Sequence, residues 1–243
     1  MKQISTLIVT FIFFVSSAYS EIKIGTLAYD PPFVISPTEG FDIDLSRLIC
    51  KYLQEQCRLI QRANTKQLYQ ALEEGKIDLA IAGITISQAR QNNFVFTLPY
   101  MLNKSQFLTL KSNNINSINE LKGTTVGVIR DQLSGGVLYN YLLNHYQKQF
   151  KINQYGNVEE LLASLNNKTL SAVFLYRSDV NYWNQNGGDS FKPLGSVITL
   201  GEGLAIMALP KNNQLISRIN AVLLQMENNN IYLAVYKTYF SNE

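Results

Sequence analysis

The strongest constraint on the fold is a unit that recurs along the chain: a helical segment, a break, and then a short apolar strand. It is seen in "NTKQLYQALEEGKIDLAIAG", in "SINELKGTTVGVIR" and in "NVEELLASLNNKTLSAVFLY". Asn64 or Thr65, Ser117 and Asn157 are placed to cap the three helices. Helices that alternate with apolar strands predict an α/β fold with mainly parallel sheets. Because ligands bind beyond the carboxyl ends of such strands, the loops that follow the strands are the candidate binding loops.

The first twenty residues form a separate segment. Lys2 is followed by an apolar run from Ile4 to Val15 and then by small residues that end in Ala18-Tyr19-Ser20. This pattern predicts a secretory signal peptide over 1–20, cleaved before Glu21. The run of about 12 residues is short of the ~20 that a membrane-spanning helix needs. Since no cysteine lies near the cleavage site, we expect no lipid anchor.

Composition excludes several classes of function. The 243 residues carry a formal net charge of +3 and contain no block of Lys and Arg, which argues against a nucleic-acid partner. One histidine and no clustered carboxylates offer no metal-ligand spacing. We therefore expect no metal and no cofactor.

Both cysteines, Cys50 and Cys57, lie in the part of the chain expected to be exported. An oxidising compartment favours a disulfide between them, and two buried free thiols are the alternative. Seven residues of continuous helix rise by roughly 10.5 Å, whereas bridged cysteines need Cα atoms within about 7 Å. If they pair, the helix in "DLSRLICKYL" must end between them.

Several segments together resemble one family. "IGTLAYDPPF", "GFDIDLSRLI", "LEEGKIDLAIAGITISQARQNNFVFTLPY", "LKGTTVGVI" and "GLAIMALPKNNQLISRINAVL" occur in the order typical of bacterial periplasmic solute-binding proteins of the polar amino-acid class. These proteins are related to the ligand-binding domains of ionotropic glutamate receptors. Cys50 and Cys57 also match a disulfide at a helix end in some members, which supports their pairing.

The resemblance implies a two-lobe periplasmic-binding-protein fold of type II. Lobe 1 is expected over 21–102 plus 204–243 and lobe 2 over 103–203, with a ligand cleft between them that closes by a hinge motion. The implied function is capture of an amino acid or related small carboxylate in the periplasm and its delivery to an ABC permease. We expect a monomer.

The resemblance also implies roles for residues of "AIAGITISQARQ". Arg90 would hold the ligand's carboxylate with the two parallel donors of its guanidinium. Thr85 would add donors to the same carboxylate, and the carbonyl of Gly83 would accept from the ligand's ammonium. The alternative for Arg90 is a solvated surface charge.

The second lobe departs from the family pattern. Members usually carry an acid for the α-ammonium at the end of the strand that here reads "SAVFLY", where Tyr176 stands instead. A neutral phenol accepts an ammonium only weakly. Either another acid substitutes, with Asp179, Asp131 and Asp30 as candidates, or the ligand has no α-ammonium. The remaining alternative is that Tyr176 is simply a packed aromatic.

Two further loops complete the predicted site. "RDQLSGG" would donate backbone N–H groups to the carboxylate at a helix N-terminus. In the proline-rich loop, an aromatic and a carboxylate suit a cationic or polar side chain, although Leu27 and Thr65 replace an acid and an aromatic common in relatives. The alternative for Tyr29 is that it only covers the core. The predicted contacts in these loops are Gln132, Leu133 and Ser134, and Tyr29 and Asp30.

Two other functions remain open at this level. A few proteins of this superfamily are dehydratases that act on cyclic carboxylic acids, and Asp131 or Glu202 could serve as an acid. His145 lies in a helical segment away from the strand ends, which favours a surface position. A ligand sensor without a transport role is the third interpretation, since Tyr176 occupies a position central to amino-acid selection.

Overall fold

The computed structural model describes residues 21–130 and 136–240. The predicted signal peptide and the predicted contacts Gln132, Leu133 and Ser134 lie outside the described residues, as does Asp131. In the described part of the chain, no helix combines the length and apolar character needed to cross a membrane.

The first lobe is built on one five-stranded sheet and the helices around it. In chain order its elements are β1 (Ile22–Leu27), α1 (Phe41–Leu53), β2 (Cys57–Arg62), α2 (Thr65–Glu73), β3 (Leu79–Ala80), α3 (Gln88–Gln91) and β4 (Val95–Phe96). After an excursion through the second lobe the chain returns as β10 (Met207–Ala208), a 3₁₀ turn (Pro210–Asn212), α7 (Asn213–Asn228) and α8 (Ile231–Phe240). The strand order is β2-β1-β3-β10-β4. Helices α1, α7 and α8 bury one face around Phe41, and α2 buries the other around Leu68.

The second lobe contains the intervening elements. They are β5 (Lys104–Leu110), a 3₁₀ turn (Ile118–Leu121), β6 (Thr125–Ile129), α4 (Gly136–Tyr146), β7 (Lys151–Tyr155), α5 (Val158–Asn166), β8 (Ala172–Tyr176), α6 (Arg177–Asn186) and β9 (Phe191–Thr199). The strand order is β7-β6-β8-β5-β9. The α/β two-lobe prediction is confirmed.

The sheets are mixed rather than mainly parallel as predicted. In each sheet three neighbouring strands are parallel, and the other two pairings are antiparallel. Every antiparallel pairing involves β5 or β10, the strands by which the chain enters a lobe after crossing from the other. The crossover segments themselves run side by side, since Leu204 N donates to Met101 O at 2.8 Å and Tyr100 N donates to Leu204 O at 2.8 Å. The strand that follows each crossover, β5 or β10, therefore runs antiparallel to its neighbours in the sheet.

Local signals account for the element ends. Asn64 Oδ1 accepts from Gln67 N at 3.0 Å and Asn157 Oδ1 accepts from Glu160 N at 2.8 Å, as the capping pattern predicts. The predicted helix after Ser117 is only a 3₁₀ turn, because the chain turns at Gly123, whose φ is +77°.

The predicted pairing of Cys50 and Cys57 is present. Helix α1 ends at Leu53, and Gln54 follows in the left-handed conformation with φ of 57°. This reversal brings the two Cα atoms to 6.1 Å, and the sulfurs are bonded. The disulfide thus joins the last turn of α1 to the start of β2.

Candidate functional site

A cavity lies between the two sheets, at the carboxyl ends of the parallel strands. It holds about 790 Å³ of empty space, including the open solvent at its mouth. Both lobes line it. Six residues predicted from the sequence are in its wall: Tyr29, Asp30, Gly83, Arg90, Tyr176 and Asp179.

Arg90 is a buried residue of the first lobe. It sits on α3, only 1% exposed, and its Nη1 donates a short hydrogen bond to the carbonyl oxygen of Thr85. Its Cζ lies 5.9 Å from the ring centroid of Tyr69, a geometry that favours cation–π attraction. A guanidinium held away from water in a cavity wall is suited to bind an anion. It is not the solvated surface charge that the sequence left open.

The backbone of Gly83 is hydrogen-bonded to a buried carboxyl group. Its φ of +55° suits glycine, and its N–H donates to Asp42 Oδ2 at 3.2 Å. Asp42 is fully buried, and that burial holds its pKa well above the usual range, although the bond from Gly83 opposes the shift. The N–H is thus engaged with the core, and the role predicted for the carbonyl of Gly83 stays a prediction.

Tyr176 and Thr85 form a hydrogen bond between the lobes. Their hydroxyl oxygens are 2.6 Å apart, and Asn103 Nδ2 also donates to Thr85 Oγ1, at 2.9 Å. Thr85 is fully buried and is not among the described residues that line the cavity. Burial raises the pKa of Tyr176, an effect that Arg90 opposes, so the phenol is neutral. The Thr85 hydroxyl already has two partners, Tyr176 and Asn103. Its predicted role at the ligand's carboxylate stays a prediction.

The hydroxyl of Tyr176 therefore links the two lobes directly. We expect Tyr176→Phe to weaken the binding of every ligand by a similar factor, roughly threefold to tenfold, since one hydrogen bond contributes about 0.5–1.5 kcal/mol net. The ligand-free variant should also have a larger radius of gyration in small-angle X-ray scattering than the wild type, while Tyr52→Phe on α1 should not. Unchanged affinities and an unchanged radius would contradict this role.

Asp30 and Tyr29 also line the cavity. The backbone of Asp30 is fixed by a reciprocal pairing with Val34, with N···O distances of 2.8 and 2.9 Å. Burial, and then repulsion from Glu159 of the second lobe, raise the pKa of Asp30 to about 7. Tyr29 extends from the first lobe onto an apolar cluster of the second. It thus both covers a core and lines the cavity.

The remaining predicted residues are spread over the second lobe. Asp179 lies in the first turn of α6, is 6% exposed, and accepts from Ser178 Oγ at 3.4 Å. His145 is exposed on α4 and stacks on Tyr141, with ring centroids 4.3 Å apart, as expected for a surface histidine. Among the described residues, no group of three or more His, Cys, Asp and Glu could hold a metal ion.

Several residues of the site were not recognised in the sequence. Tyr69 on α2 sits under Arg90, but its spacing with Leu68 and Leu72 is that of any core-facing residue. The sequence pattern indicates only a helix cap at Asn157, yet this residue also lines the cavity. Thr65 Oγ1 donates to Arg130 O at 3.0 Å, which links the lobes a second time.

The fold and the cavity define a two-lobe protein that encloses a small ligand between its lobes. The family model for bacterial extracellular solute-binding proteins, family 3, matches residues 22–242, and the chain belongs to this family. Its relatives include ABC transporter arginine-binding protein 1 of Escherichia coli (strain K12), 26% identical over 234 residues, or 93% of each chain. The histidine-binding periplasmic protein of Salmonella typhimurium (strain LT2) is 25% identical over 232 residues, 90% of this chain and 87% of the relative.

Solved structures show the same similarity. An arginine 3rd transport system periplasmic binding protein from Legionella pneumophila superposes with a TM-score of 0.84 at 31% identity, covering 90% of this chain and 99% of that one. The GluR0 ligand-binding core from Nostoc punctiforme, in complex with L-glutamate, has a TM-score of 0.78 at 29% identity, with the same coverage. The resemblance to both periplasmic binding proteins and glutamate-receptor domains is confirmed.

Proposed function

We propose that the protein captures a cationic α-amino acid, with arginine as the first candidate, and delivers it to an ABC permease in the membrane. The observation that carries the proposal is the set of charges that the described residues place in the cavity wall: one guanidinium, Arg90, and two carboxyl groups, Asp30 and Asp179. A cationic amino acid has one carboxylate and two positive groups. The charges of ligand and cavity are therefore complementary.

The ligand's carboxylate and side chain would lie at opposite ends of the cavity. Arg90 would hold the carboxylate with parallel N–H donors. Asp30, whose pKa is raised by burial and then by Glu159 of the second lobe, would take the cationic end of the side chain, with Tyr29 beside it. That several relatives are named as arginine- or histidine-binding proteins supports this class of ligand.

Closure of the lobes would be driven by the ligand. The proposed moving units are 21–102 plus 204–243 and 103–203, joined by the paired crossover segments. Because the ligand would contact Arg90 on one unit and the cavity wall on the other only when they are closed, its binding favours the closed form. The permease would recognise that form. A monomer, exported by a signal peptide over 1–20 and acting without catalysis, fits this role.

A ligand panel tests the proposal. Thermal shift and titration calorimetry would compare L-arginine, L-lysine and L-histidine with L-glutamine and L-glutamate, and the same preparation would be assayed for turnover of prephenate. We expect the cationic amino acids to raise the melting temperature most, and no turnover. Preference for L-glutamate, or conversion of prephenate, would contradict the proposal.

A further inference from the structure

Binding of a cationic amino acid leaves one charge without an evident partner, its α-ammonium. This group is two bonds from the carboxylate carbon, so it must lie close to Arg90 and therefore near Tyr176 and Gly83. An ammonium enclosed away from water needs an anion or several acceptors. The phenol of Tyr176 is neutral and already bonds to Thr85, and Gly83 offers one carbonyl.

Asp179 is placed to supply the missing charge. It lies three residues after Tyr176, and residues three apart on a helix share a face. Tyr176 is the N-cap of α6 and Asp179 is in its first turn, so the two side chains are neighbours in the cavity wall. Asp179 is only 6% exposed.

Both carboxyl groups of the cavity act on Tyr176, but to different extents. Tyr176, which is close to Arg90, is influenced more strongly by the charge of Asp179 than by that of Asp30. Asp30 in turn interacts most with Glu159. Together with its place three residues after Tyr176 in the cavity wall, this favours Asp179 over Asp30 as the partner of an α-ammonium.

We propose that Asp179 is the acceptor for the ligand's α-ammonium, relocated from the strand end to the first turn of α6, while Tyr176 holds the lobes together. The assignment depends on the proposed function. With Gly83 on the first lobe and Asp179 on the second, the ammonium is bound from both sides of the cleft. It therefore contributes to closure as well as to selectivity.

The test compares L-arginine with 5-guanidinopentanoate, which is the same molecule without the α-amino group. Asp179→Asn should weaken binding of L-arginine on the order of 30-fold or more, the effect of removing one partner of a buried charge pair, and change binding of the analogue less than about threefold. Asp179→Glu should retain part of the preference for L-arginine. Tyr176→Phe should weaken both ligands equally, and Asp189→Asn, an exposed change on the same lobe, should affect neither.

Other outcomes overturn the assignment in distinguishable ways. Equal losses for both ligands in Asp179→Asn, with a lowered melting temperature, would make Asp179 structural. A loss confined to L-arginine in Tyr176→Phe would make the phenol the acceptor. If the wild-type protein binds the analogue as tightly as L-arginine, it has no site for the α-ammonium. A wild type that binds neither ligand overturns the proposed function itself.

Discussion

Replacing Arg90 by alanine is expected to weaken ligand binding by a factor on the order of 100 or more. The substitution would leave the ligand's carboxylate buried without its partner, which costs about 2–5 kcal/mol. Arg90→Lys keeps the charge but not the parallel donors, so its affinity should fall between those of Arg90→Ala and the wild type. Titration calorimetry with the best ligand of the panel measures both effects.

Two controls separate binding from folding in this experiment. Arg218→Ala removes an arginine from the same lobe, but that arginine is exposed and pairs with Glu55 at 2.7 Å, so affinity should be unchanged. The melting temperature of the ligand-free Arg90→Ala protein shows whether the Thr85 carbonyl and Tyr69 tolerate the loss of the guanidinium. Wild-type affinity in a folded Arg90→Ala variant would contradict the role of Arg90.

The second large effect is a pH dependence that originates in Asp30. In the ligand-free protein its pKa is about 7 because of burial and Glu159, and a cationic ligand favours the ionised form. Binding should therefore release a proton, and affinity for L-arginine should rise between about pH 5 and pH 8, by up to about tenfold per pH unit. Asp30→Asn should remove most of this slope and lower the affinity at pH 8. The slope for L-glutamine, whose side chain is neutral, should be small.

The raised pKa of Asp30 has the opposite effect on the folding stability of the protein without ligand, which falls as the pH rises. The unfolded carboxyl group has a pKa of about 3.9, so the folded form binds the proton more tightly and loses stability as the pH rises from about 4 through 7. Glu159→Gln removes the repulsion and should move the midpoint of the binding profile to lower pH. Among the described residues, the titratable groups that interact with Asp30 are Glu159, Asp42 and Tyr176. Equal pH slopes in the wild type and in Asp30→Asn would contradict the assignment.

Local patterns in the sequence were sufficient for most of the fold. The Asn caps and the helix end between Cys50 and Cys57 depend on neighbouring residues, and they agree with the structure. The mixed sheets were not predicted, because the direction of β5 and β10 follows from where the chain crosses between lobes. That crossing is a long-range property which no short segment encodes.

The site was predicted less completely, for a related reason. The sequence placed Arg90 and Gly83 after a strand end, where the structure has them in the cavity wall. It did not indicate that the Thr85 hydroxyl is shared by Asn103 and Tyr176, because those partners are 18 and 91 residues away. The buried carboxyl of Asp42 was visible only as part of "GFDIDL", and its bond to Gly83 spans 41 residues.

The most direct test of the account is a crystal structure of the mature protein with L-arginine bound. Both carboxylate oxygens of the ligand are expected to accept hydrogen bonds from the Arg90 guanidinium, with Asp179 at the ammonium and Asp30 at the side-chain guanidinium. A ligand located outside the cavity, or inside it with its carboxylate away from Arg90, would contradict the central claim.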